Sequence, residues 1–355
     1  MRARRRLLSA SVAVCALALP ATAAAVPAQV RDYNLGRVEL ADPSPFGPLP
    51  IRLWGALGVP TGPGPHPLVV VAHGRHGTNC PSGEADSETW PCFRREQRND
   101  LGLRHVVAAL ARRGIAAIAP DLNGAYTGGW GEPNDRRRWP RIVNRTLAAV
   151  AREASGGTPR FPISLAGRLD LARLGILGHS LSGHRSVRAA RQRAANRSPA
   201  QIAAGRGPVR ALFLLTPVFA RAAPPAGVPF AVAVATCDGD TGLMGRGYFR
   251  QAVASAARRA PAQLVQLARA NHNYFNRTLS RRGNDDAPFG RRGCRPPARP
   301  SALAQQRWID RAAADFFAVT LRGAARPAWL RLSGPLPELL HGLNVLVQRD
   351  RAGTG

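Results

Sequence analysis

A chain of 355 residues with 50 basic and 21 acidic side chains has a formal charge of +29, and its length suits one large α/β domain or two average ones. Every basic residue is arginine, a bias that a GC-rich coding sequence produces without any ligand. The arginines are scattered, neither gathered in one arm nor interleaved with aromatics, which argues against a dedicated nucleic-acid module while leaving adhesion to anionic envelope polymers open.

The chain opens on a basic stretch, Met1 to Arg6, an apolar run, Leu7 to Pro20, and the small residues Ala21 to Ala25. This pattern predicts a secretory signal peptide over residues 1–25, cleaved near Ala23 or Ala25, and hence a secreted or extracytoplasmic protein. The apolar run is short for a permanent membrane anchor, so no transmembrane anchor is expected. Arg5-Arg6 keeps a twin-arginine export route open. Without Cys15, the cysteines are Cys80, Cys92, Cys237 and Cys294, an even number that in an exported chain favours disulfides over a metal site. Three connectivities are open; the expected one is Cys80–Cys92 and Cys237–Cys294. No Cys/His spacing matches a zinc site, and neither a metal nor another cofactor is expected.

The remaining elements follow in chain order. Residues 37–40 and 51–57 read as two early strands, and Leu68 to Ala72 as an unbroken buried strand ending at His73-Gly74. An amphipathic helix over 100–113 leads to a strand over 115–119, and a second helix spans 141–153. Leu171 to Leu177 is a strand, followed by Gly178-His179-Ser180-Leu181-Ser182-Gly183 and a helix from Arg185. Strands over 209–215, 230–235 and 262–267, a helix from Tyr248 to Ala260 and a closing helix over 301–321 complete a mostly parallel, doubly wound α/β sheet with helices on both faces. The expected folded domain is 26–322, with residues 323–355 a C-terminal tail of uncertain structure.

Ser180 sits where a strand turns sharply into a helix, and it needs a base and an acid. Downstream, the strand 230–235 runs into Cys237-Asp238-Gly239-Asp240, and the strand 262–267 into Asn271-His272-Asn273. Only His272 and His341 follow the acid loop, and His272 lies next to a strand end, so His272 is the expected base. Asp240, a few residues past its strand, is preferred to Asp238 as the acid. The oxyanion donors expected are the N–H groups of Leu181 and Arg75. Asn123, Tyr126 and Trp130, in a loop over the site, are candidate substrate contacts; His76, His179 and His184 read as structural or solvent-facing.

With these residues the chain resembles the α/β-hydrolase superfamily over residues 35–322, and more loosely the cutinase-like polyester hydrolases. The resemblance implies the α/β-hydrolase fold and a secreted serine hydrolase that cleaves small or polymeric carboxylic esters through an acyl-enzyme. The cutinase-like spacing of the acid loop also implies Asp240. Arg75, Leu181 and Ser182 depart from the aromatic residue, methionine and glycine usual at those places. A peptidase or acyltransferase on the same fold is the nearest alternative, and a non-catalytic, arginine-rich polyanion-binding protein is the rival from another class.

Overall fold

The apolar runs of the sequence become the middle of one sheet. A computed structural model of the protein describes residues 25–41, 47–77, 90, 96–127, 135–281, 283, 286, 292–295, 297–331, 334–335 and 343–349. The signal-peptide segment, Trp130, and Cys80 with Cys92 lie outside these residues. The strands are β1 (Ala28–Leu40), β2 (Leu49–Pro60), β3 (His66–Ala72), β4 (Ala116–Pro120), β5 (Leu169–His179), β6 (Val209–Leu215), β7 (Phe230–Ala235), β8 (Ala262–Leu267), β9 (Gly334–Pro335) and β10 (Val345–Arg349). Their order across the sheet is β1-β2-β4-β3-β5-β6-β7-β8-β10-β9. The six strands from β4 to β8 in that order are parallel, whereas β1, β2, β10 and β9 pair antiparallel at the two edges.

The helices are α1 (Arg104–Arg112), α2 (Asp135–Ala154), α3 (Leu181–Gln192), α4 (Pro199–Ala203), α5 (Arg246–Val253), α6 (Arg277–Arg281) and α7 (Ala302–Arg322). Alternate residues of each central strand face opposite sides, and two separate cores result. Leu68, Val70, Ile176, Leu212 and Val232 pack against Trp139, Ile142 and Val150 of α2, Val187 of α3 and Tyr248 of α5. Val69, Val71, Leu177, Phe213 and Val265 pack against Val106 and Leu110 of α1 and Trp308, Ile309 and Phe316 of α7. Burying each such aliphatic or aromatic side chain favours folding by about 1.5–3 kcal/mol. Both faces being covered explains why Leu68 to Ala72 of β3, Ala116 to Pro120 of β4, Ala211 to Leu215 of β6 and the whole of β7 read as continuous apolar runs rather than alternating ones.

Two expectations change. The helix expected to run from Tyr248 to Ala260 stops at Val253. Beyond it the Arg258 guanidinium donates to the carbonyls of Pro225, Val228 and Pro261 and lies over the Phe230 ring, which holds that stretch as a loop. The tail does not begin a separate structure at residue 323, because β10 pairs with β8 in the register Val347↔Val265 and buries Val345 and Val347.

Candidate active site

The site residues stand at the carboxyl ends of parallel strands, where open α/β sheets leave a crevice. Ser180 follows β5 directly and caps the start of α3, with φ 58° and ψ −129°. For a residue with a Cβ this is strained backbone, held by over-determining contacts. The N–H of Ser180 donates to the Leu215 carbonyl (2.9 Å), and its own carbonyl accepts from Gly183 (2.9 Å) and Val218 (3.2 Å). Gly178 makes the turn sterically possible: a Cβ there would lie 2.5 Å from both the Ser182 carbonyl oxygen and Ser186 Oγ.

Ser182 occupies the place where glycine is usual, and the structure gives the hydroxyl a purpose. Its Oγ donates to the His73 carbonyl (2.5 Å), accepts from Trp139 Nε1 (2.8 Å) and bonds the Tyr126 hydroxyl (2.5 Å). All four residues are buried. The loop after β3, α2 and the loop after β4 are thereby tied to the first turn of α3. Tyr126 is a member of this network and is only 2% exposed, so it is not the surface substrate contact expected from the sequence.

Asn123 is also corrected. It is 1% exposed, and its amide nitrogen donates to Glu96 Oε1 (2.8 Å) and the Gln97 carbonyl (2.7 Å), while its Oδ1 accepts from Asn99 (2.9 Å). Beside it, Asp121 accepts from Trp54 Nε1 (2.7 Å) and the Asn123 N–H (2.9 Å). Burial first, then the Asp121 charge, push the Glu96 carboxyl up to about 10, so it keeps its proton at neutral pH. His73 Nε2 accepts the Leu122 N–H (2.8 Å), which leaves Nδ1 to donate to the Gly74 carbonyl (2.8 Å).

His272 is wholly buried, and its Nδ1 lies 2.9 Å from Asp238 Oδ2. The sequence ranked Asp240 above Asp238 for this contact; the structure reverses the order. The chain folds back immediately after β7, with the Cys237 N–H on the Ala270 carbonyl (2.9 Å), so the first residue past Cys237 already lies under the imidazole. Asp238 is fixed there because its Oδ1 accepts the N–H groups of Asp240 (2.9 Å) and Thr241 (2.7 Å), and its Oδ2 accepts Thr241 Oγ1 (2.8 Å). Asp240 lies on the other side of the ring, its Oδ2 3.3 Å from His272 Nε2 and its side chain 55% exposed. Burial alone would lower the pKa of His272, but Asp238, Asp240 and Asp286 outweigh it and hold it above the ordinary value. Burial likewise works to raise Asp238, and the His272 charge and hydrogen bond hold it low.

Asp286 has no motif to mark it in the sequence. It accepts the N–H groups of His272 (3.0 Å), Asn273 (2.9 Å) and Gly239 (3.2 Å), pinning the acid and histidine loops together. The Cys237–Cys294 disulfide, with Cα atoms 5.4 Å apart, closes the same region as expected. His179 stacks 4.7 Å from His272 and donates from Nε2 to its carbonyl (3.2 Å). Burial, then the neighbouring His272, keep His179 neutral.

The two expected oxyanion donors lie next in sequence to residues at the site. Leu181 is the first residue of α3, where N–H groups are unpaired and the helix dipole favours negative charge. Arg75 is exposed and follows Gly74, which passes so close to Ser180 that a Cβ on it would lie 2.4 Å from the serine Cβ. Among the described residues, no group of His, Cys, Asp and Glu is placed to hold a metal ion, and no helix is long and apolar enough to cross a membrane. No protein-family model matches the chain, and no curated protein matches it.

Proposed function

We propose that the protein is an exported serine hydrolase of the α/β-hydrolase fold that cleaves carboxylic esters through an acyl-enzyme on Ser180. The observation that carries this reading is a strained serine at the β5–α3 turn, next in sequence to His179, whose ring lies 4.7 Å from a buried histidine bonded through Nδ1 to a buried aspartate. With Nδ1–H committed to Asp238, neutral His272 carries its lone pair on Nε2, the side that Asp240 Oδ2 approaches at 3.3 Å, and this is the tautomer a general base needs.

In the first half-reaction Nε2 takes the Ser180 proton as Oγ bonds to the ester carbonyl carbon. The resulting oxyanion is held by the N–H groups of Leu181 and Arg75. The carbon–oxygen bond to the alcohol then breaks, and Nε2–H returns its proton to the departing alkoxide. In the second, Nε2 deprotonates a water whose oxygen attacks the acyl carbon, releasing the acid and restoring Ser180. Asp238 holds the ring orientation and offsets the imidazolium charge in both halves. The basic-apolar-small pattern of residues 1–25 and the Cys237–Cys294 disulfide support export.

A fluorophosphonate probe tests the nucleophile: the wild-type protein should be labelled and Ser180→Ala should not. Absence of labelling in a folded wild-type sample overturns the enzyme reading. A panel of p-nitrophenyl esters and peptide anilides tests the substrate class, and turnover of amides alone would overturn the ester assignment.

A further inference from the structure

The exposed face of α2 carries an arrangement that the hydrolase reading does not use. Arg141, Arg145 and Arg152 recur at spacings that place them along one stripe of the helix. They line a cavity of about 650 Å³ whose far wall includes Arg206, just beyond α4. A second cavity of about 610 Å³ shares Arg152 and continues to Arg160. From Arg141 to Arg152 the row is roughly 16 Å long at the rise of an α-helix.

Among the described residues the charge in this groove is uncompensated. No described acidic residue lines either cavity, and the side chains of Arg145, Arg152 and Arg206 have no hydrogen-bond or ion-pair partner among the described residues. The acid next in sequence to Arg152 does not neutralise it: Glu153 is buried, and its carboxylate accepts the N–H groups of Arg160 (2.7 Å), Phe161 (2.9 Å) and Leu165 (3.2 Å). Arg141 and Arg160, at the two ends, are steadied by the carbonyls of Ala41 and Leu35. Guanidinium forks suit the oxygens of phosphate, and a row of them suits several phosphates in sequence. Among the described residues no aromatic side chain lines either cavity, so the described lining offers no stacking platform of the kind single-stranded nucleic acid uses.

We propose that this groove binds a linear phosphate polymer that carries no bases. It would hold the protein to such a polymer without involving Ser180, and it gives a definite place to the adhesion that the net charge only allowed.

Because the whole molecule is cationic, the test must separate this groove from the general charge. The probe is fluorescently labelled inorganic polyphosphate, titrated with full-length protein over a range of salt concentrations. Arg145→Gln with Arg152→Gln should weaken binding about tenfold or more and flatten the slope of log K against log salt by roughly 1.4–1.8, the release expected for two phosphate contacts. The control pair Arg307→Gln with Arg311→Gln, on the exposed face of α7, removes the same charge and should change both quantities by less than half as much. Unchanged thermal midpoints confirm that all variants are folded. Equal effects of the two pairs, equal competition by orthophosphate, tighter binding of oligo(dT), or no polyphosphate binding by the wild type would each overturn the proposal.

Discussion

At the scale of single residues, two aspartates contact one imidazole from opposite sides, and only one of them can fix its tautomer. Asp238→Asn should lower kcat by about ten-thousand-fold, since an amide beside Nδ1 admits the wrong tautomer, whereas Asp240→Asn should cost less than about tenfold. Steady-state kinetics on one ester checks the ranking, and the reverse order would reinstate Asp240 as the acid. The pH profile adds a second readout. His272 must be neutral to take a proton, and its pKa lies above the ordinary histidine value, so kcat/KM should rise with pH through that raised value. Asp240→Asn removes one of the charges that raise it and should move the acid limb to lower pH; an unmoved limb would mean that the carboxylate does not act on Nε2. Ser182→Ala is the third single-residue test. It leaves Trp139 Nε1 without its partner, a loss of about 1–3 kcal/mol for a buried group left unpaired, while the Tyr126 hydroxyl keeps the His73 carbonyl at 3.5 Å. Denaturant unfolding should show it, and a variant as stable as the wild type would deny the hydroxyl its structural role.

At the scale of elements and loops, the segment after β4 is built around a proton. Glu96 keeps its carboxyl protonated to about 10 in the fold but loses the proton near the usual carboxylate range once unfolded. Its folded pKa is the raised one, so the stability linked to this proton is complete below the unfolded value and is lost as pH rises towards the folded one. Glu96→Gln keeps a neutral hydrogen-bonding head. Its thermal midpoint should match the wild type near pH 4.5 and exceed it increasingly up to pH 9; a gap that does not vary with pH would show that Glu96 is ionised in the fold. These details were not legible in the sequence, for reasons that differ by element. The strand β7 was readable to its ends because both of its faces are buried and no polar residue interrupts it, and β6 and β8 were readable because only Arg210, Gln263 and Gln266 break their apolar runs. The strand–turn–helix around Ser180 was readable because few local geometries place a serine between such runs. The choice between Asp238 and Asp240 was not, since it depends on the chain reversing at Cys237 to reach Ala270, which spacing does not encode. Tyr126 and Asn123 looked like surface contacts because their partners, Ser182 and Glu96, are remote in sequence. Strand β10 was missed for the same reason: Val345 to Arg349 is short, and its pairing with β8, remote in sequence, makes it a strand.

At the scale of the whole molecule, the chain's last described strand covers an edge of the sheet that would otherwise expose the buried strand β8. Removing residues 323–355 strips β10 from β8 and bares Val265 and Leu267, so the shortened chain should aggregate or unfold at temperatures the full chain survives. Light scattering during a thermal ramp checks this, and a truncated protein with an unchanged midpoint would return the tail to the status of an appendage. The order of the strands has another consequence. The first strand, β1, forms one edge of the sheet, and β10 with β9 forms the other, so Ala28 and Arg349 stand near opposite rims, roughly 40 Å apart at the usual spacing between strands. Joining Arg349 to Ala28 in a circularly permuted version would take at least about 12 extended residues, and fluorophores attached at these two positions would report the breadth of the sheet as a single distance.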